Sequence, residues 1–181
     1  MCDPMNPRRF QSLILACGLA IACGSARAEF TQNDLQIAGR ALGFLDNPLS
    51  GDIDAGIVYA PGDPQSVREA EALKALLGQG LRVGNITLKP VLVPVADVGH
   101  ANVTILLLTD GVTSVEAKAV TDAAKAKRTA CITTDLAQVR NGVCAMGVRA
   151  QPRVEILVNR TAALSTGLSF SVVFRMMITE T

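Results

Sequence analysis

Apolar positions along this chain recur with two alternating periods. Leu35, Ala38, Leu42 and Leu45 return every three or four residues, the mark of an amphipathic helix. Thr31 stands before that run and Asp34 in its first turn, where a hydroxyl cap and a negative charge both suit a helix start. Asn47-Pro48 ends it. Residues 53–59 (IDAGIVY) read as a strand, and Pro61 to Pro64 as a turn. Ser66 and Glu69 at capping-box spacing predict a second helix running to Leu77, closed by Gly78 and Gly80. Residues 86–93 predict another strand, in which Pro90 marks an edge or a break. Residues 103–108 (VTILLL) are almost continuously apolar, the pattern of a strand buried on both faces of a parallel sheet.

Ser114 with Glu116 opens an alanine-rich helix reaching residue 125. A short strand follows at 130–133, then a turn of helix capped by Asp135 and ended near Asn141-Gly142. Residues 143–148 and 153–158 predict a hairpin joined at Gln151-Pro152. A short helix at 161–164 and a terminal apolar helix over 170–178 complete the chain. Strands alternating with helices predict an α/β class: one domain with a mostly parallel central sheet flanked by helices, a C-terminal hairpin and a terminal helix.

Residues 1–28 stand apart. Arg8 and Arg9 precede an apolar run at 13–23, too short to cross a bilayer, and Ala26-Arg27-Ala28 forms a small-x-small cleavage site. This predicts a signal peptide cleaved after Ala28, with the domain at 29–181 delivered to the periplasm. Cys23 closes a poor lipoprotein box, which makes acylation at Cys23 a competing reading. Arg8-Arg9-Phe10 is a weak twin-arginine pattern.

Composition narrows the chemistry. The 181 residues are 49% hydrophobic and carry a net charge of +1, so no basic field points to nucleic acid. The leader takes three basic residues and one acidic residue with it, which leaves the exported chain close to neutral. Five Phe, one Tyr and no Trp offer no stacking platform for bases or sugars. His100 is the only imidazole, beside Asp97 in a loop, and no Gly-x-Ser-x-Gly elbow exists to complete a triad. Its plain reading is a surface histidine. CxxC, HExxH and phosphate-cradling glycine motifs are all missing, so the sequence predicts no metal, no cofactor and no catalytic residue. Asp52 and Asp54 share one face of a strand, the usual polar start of such an element. Asp110-Gly111, after the central strand, marks where a ligand or an unrecognised active site would lie in an open α/β sheet.

Cysteine placement is the more specific signal. Cys2, Cys17 and Cys23 fall in the leader, and Cys131 and Cys144 remain in an oxidising compartment. The default for such a pair is a disulfide. A redox switch that loosens the segment from Asp135 to Gly142, or two free buried thiols, are the alternatives. Near the end of the chain, Phe174, Met176 and Met177 offer either an adaptable partner surface or filling for the core.

The C-terminal half carries an ordered set of phrases: residues 141–148 (NGVCAMGV), 153–159 (RVEILVN), Ala162-Ala163, Gly167-Leu168-Ser169 and Phe174 to Met177. In order and spacing it resembles the YfiR-like family of periplasmic regulatory proteins. Gly142, Gly147, Arg153, Glu155, Asn159 and Gly167 are the motif positions. The resemblance implies a homodimeric regulator and not an enzyme. It implies a protein that binds the periplasmic part of a membrane-bound diguanylate cyclase or sensor kinase and restrains it, in cyclic di-GMP and biofilm control. A small periplasmic solute-binding module is the alternative expectation.

Overall fold

The computed structural model describes residues 29–181. The expected signal peptide, with Cys2, Cys17 and the alternative acylation site Cys23, lies outside the described residues. Helix α1 (Gln32–Leu42) starts on the expected cap: the Asp34 N–H donates to the Thr31 hydroxyl, and the Thr31 N–H donates to the Asp34 carboxylate at 2.7 Å. The helix stops earlier than its apolar period suggests, at Gly43. Strand β1 (Gly51–Tyr59) leads to helix α2 (Pro64–Leu77), and β2 (Leu81–Val83), β3 (Ile86–Pro94) and a short 3-10 turn (Val95–Asp97) follow. The chain continues through β4 (Ile105–Leu108), α3 (Ser114–Lys127), β5 (Ala130–Thr133) and α4 (Leu136–Arg140). It ends with β6 (Met146–Arg149), β7 (Glu155–Val158), α5 (Arg160–Ser165), α6 (Val172–Arg175) and β8 (Thr179–Glu180).

Eight strands form one sheet in the order β2-β3-β1-β4-β5-β6-β7-β8. Only β2 with β3 and β6 with β7 pair antiparallel; the other pairings are parallel. This is the single α/β domain expected, with β6 and β7 as its hairpin. The continuous apolar run becomes β4, and alternate residues serve opposite faces. Ile105 and Leu107 pack with Leu35, Leu42, Leu73 and Leu77 of α1 and α2. Leu106 and Leu108 pack with Val120 and Ala124 of α3. A strand used on both sides has no room for polar residues, hence the missing alternation.

Four local expectations need correction. Helix α2 begins before Ser66: Asp63 is its N-cap, accepting from the N–H groups of Gln65 and Ser66, with Pro64 in the first turn. Proline suits that position because its missing N–H is one the helix leaves unpaired anyway. Likewise Thr113, and not Ser114, caps α3, in a reciprocal box with Glu116. Strand β2 was not anticipated, since three residues carry too little pattern to read. The expected terminal helix is a single turn, α6, and the chain then returns as β8 beside β7. Pro90 behaves as an edge signal: β2 covers β3 only at residues 86–88, so the outer side of Pro90 faces no strand.

Candidate functional site

Strand order reverses at β1, which lies between β3 and β4, so the carboxyl ends of β1 and β4 form the crevice where open α/β sheets place ligands. Here that crevice is built over by the chain itself. The buried Ser66 hydroxyl accepts from the Ala60 N–H at 3.0 Å and lies 2.7 Å from the Thr109 hydroxyl. Thr109 donates to the Val58 carbonyl. The buried Glu69 carboxylate accepts from the Asp110 N–H at 2.7 Å. Asp63 occupies the first turn of α2, and a Cβ at Gly111 would lie 2.5 Å from its Oδ2. The N–H groups that would receive a phosphate are therefore taken by the chain's own carboxylate. Asp110-Gly111, expected as the place for a ligand, joins this network and also lines an open pocket of about 430 Å³ with Asp63, Thr113, Asp135 and Gln138. Ser66 and Glu69 read in the sequence as a capping box; in the fold their side chains turn instead to Thr109 and to the Asp110 N–H, and pairings across 43 and 41 positions carry no motif.

Cys131 and Cys144 form a disulfide with their Cα atoms 4.6 Å apart. Cys131 lies in β5 and Cys144 just before β6, and both are buried against α3. Burial opposes the switch reading, since regulatory disulfides need access to a thiolate. Among the described residues no group of three or more His, Cys, Asp or Glu could hold a metal ion. Also among them, no helix is long and apolar enough to cross a membrane. His100 is exposed in its loop, as expected. Asp52 is paired with Lys89 at 2.5 Å, and this hydrogen-bonded carboxylate pushes the Lys89 ammonium above its ordinary pKa.

Most of the motif positions serve architecture. A Cβ on Gly147 would lie 2.7 Å from Leu136 and 2.8 Å from Val139, so this glycine lets α4 rest on β6. Gly142 ends α4 at a φ of 73°. Asn159 caps α5 through the Ala162 N–H and donates to the Val139 carbonyl at 3.0 Å, which ties α4 to α5. Gly167 lies against the Arg128 guanidinium; Arg153 is exposed just before β7, and Glu155 is half-buried as its first residue.

The expected partner surface divides. Phe174 is buried, stacked on Phe44 at 4.8 Å and tilted on Phe170 at 5.2 Å, so it belongs to the core. Met176 and Met177 are open to solvent together with Val172 and Val173, at exposures between 64% and 84%. Beside them the side chains of Arg160, Arg175 and Glu180 meet. Arg175 donates to Glu180 twice, at 2.7 and 3.1 Å, and the Arg160 Nε lies 3.6 Å from the same carboxylate. The hydrogen bonds from Arg175 hold the Glu180 carboxyl below the usual carboxylate range, and Arg175 is pushed up in turn. No sequence signal announces this trio, because folding alone brings residue 160 to residue 180.

No known family profile and no curated protein matches the sequence. Among the solved structures similar in fold are the following two. One is a conserved domain protein from Vibrio cholerae, with a TM-score of 0.57 and 16% identity over 82% of this chain and 59% of that one. The other is an ABC domain in complex with L-Trp from Streptococcus pneumonia, with a TM-score of 0.56 and 11% identity over 81% of this chain and 61% of that one. The chain therefore spans less than two thirds of either structure, and identities this low show the fold alone.

Proposed function

We propose that this chain is an exported binding protein that restrains a membrane-bound signalling protein by holding its periplasmic part. The resemblance of the C-terminal half to YfiR-like proteins makes a diguanylate cyclase or a sensor kinase the expected partner, and cyclic di-GMP control the expected process. The observation that carries this reading is the outer face of α6, where Val172, Val173, Met176 and Met177 stand open to solvent. Contiguous apolar side chains of this kind mark contact surfaces, and methionine adapts to a partner's shape. The buried disulfide suits an oxidising compartment.

Crosslinking in intact cells, followed by affinity capture, tests the reading. The expected result is a membrane cyclase or sensor kinase captured with the chain, and raised cyclic di-GMP when the gene is deleted. Capture of the chain alone, with cyclic di-GMP unaffected by deletion, would sink it. Light scattering tests the implied homodimer.

A second reading, a small solute-binding module, has one observation in its favour. An open polar groove runs between α3 and α4, lined by Lys118, Thr121, Asp122 and Gln138. The likeness to a domain solved with L-Trp suggests the first probe. A rise in melting temperature with L-Trp or another amino acid would favour this reading.

A further inference from the structure

We propose that Arg160 and Arg175 form a receptor for an acidic side chain on an extended segment of the partner, a seat that Glu180 of the chain itself occupies in this structure. A cavity of about 80 Å³ lies beneath these side chains, floored by Val158, Leu168 and Phe170. Glu180 lies across it with its side chain 22% exposed, while Arg160 and Arg175 reach in from more open positions. Two guanidiniums converging on one carboxylate favour a planar, bidentate acceptor over any neutral group. Asp46 adds only a weaker attraction on Arg175.

The backbone around this seat is suited to exchange. Strand β8 has two residues, paired parallel with Leu157 and Val158. Two further hydrogen bonds hold the same segment: the Arg160 N–H donates to the Thr181 carbonyl, and the Thr181 N–H donates to the Val158 carbonyl. Among the described residues, Glu155 and Ile156 of β7 have no strand partner on that outer side. An edge covered by so short a strand opens locally at low cost, and β7 then offers a template for an incoming strand. With β8 displaced, two cations would stand at the mouth of a cavity whose floor holds Val158, Leu168 and Phe170. This favours a segment with one acidic residue and apolar residues before it, as Met176-Met177-Ile178 stand before Glu180. Its path would pass the exposed methionines of α6. The proposal gives the chemistry of the partner's segment, and it rests on the regulatory reading for the source of that segment.

The test uses the full exported chain and a fluorescein-labelled peptide with the sequence of residues 176–181 (MMITET), followed by anisotropy. Glu180→Gln removes the internal competitor, so the variant should bind the peptide about tenfold more tightly than the unmodified chain. The paired substitution Arg160→Ala and Arg175→Ala should abolish binding, as should a peptide with Gln in place of Glu. Arg175→Lys keeps the charge without the fork and should bind with intermediate affinity. Thermal unfolding of each variant checks that it is folded. Equal binding of the Glu and Gln peptides, or no gain from Glu180→Gln, would overturn the proposal. Either failure leaves cellular capture of a partner through α6 untouched, so the two readings fail separately.

Discussion

Asp34 does more than its place in the sequence suggests. One carboxylate oxygen closes the cap with Thr31, and the other accepts from the Ala150 N–H, at 2.6 Å in a buried position. The cap is legible from Thr31 and Asp34 alone. The bond to Ala150 spans 116 residues and is not. Asp34→Ala loses both and should lower stability by about 2 kcal/mol in chemical unfolding. Asp34→Asn keeps a cap acceptor and should cost less. Gly147 makes a similar point. Its lack of a side chain reads as a family position, but the reason is the approach of Leu136 and Val139. Gly147→Ala should cost about 2 kcal/mol, because the end of the Leu136 side chain can move aside but the short, branched Val139 cannot. Gly147→Val should cost about 3 kcal/mol, because a stiff, branched side chain finds less relief against Val139. Melting temperatures of the two variants check the order.

Elements show where local pattern suffices. Strand β5 and the capped turn α4 lie where the residues predict, since the run from Ala130 to Thr133 is short, apolar and bounded, and Asp135 is a strong cap. The start of α2 is displaced because Asp63-Pro64 competes with Ser66, and the rigid proline wins. The disulfide joins β5 to the entry of β6, across 13 positions. Replacing both cysteines by alanine should lower unfolding stability by roughly 3 kcal/mol in the chain-entropy picture. No loss would remove its structural role. Strand β8 answers to pH. Glu180 is more acidic when folded than when unfolded, so its ion pairs contribute fully above the unfolded carboxylate value. That contribution fades as pH falls through the lower folded value. Protection of the Thr181 N–H from hydrogen exchange, measured against an unstructured amide at the same pH, should therefore fall as pH drops below the ordinary glutamate range, ahead of the amides of β1.

Across the whole molecule, the exposed apolar cluster of α6 and the two methionines after it is the feature on which the proposed partner contact rests. Met176→Asp with Met177→Asp should abolish the cellular crosslink and leave the melting temperature within about 1 °C, because both side chains are already in water. A large drop in melting temperature would reassign these methionines to the fold. The sequence by itself determined the class and most of the elements. Apolar periods of two and of three to four are local, and strands separated by helices have few ways to build a sheet. It also offered Cys131 and Cys144 as a pair, on the expectation that residues 1–28 are a leader. Tertiary structure decided the rest. The floor of the crevice at β1 and β4 formed because the start of α2, with Ser66 and Glu69, meets Thr109 and Asp110 at the end of β4. Phe174 went inward while Met176 and Met177 stayed outside, because a single turn of helix can bury only one side. Arg160 and Arg175 found Glu180 because β8 returned to β7. None of these is a periodicity. Each depends on which distant residues the sheet order makes neighbours.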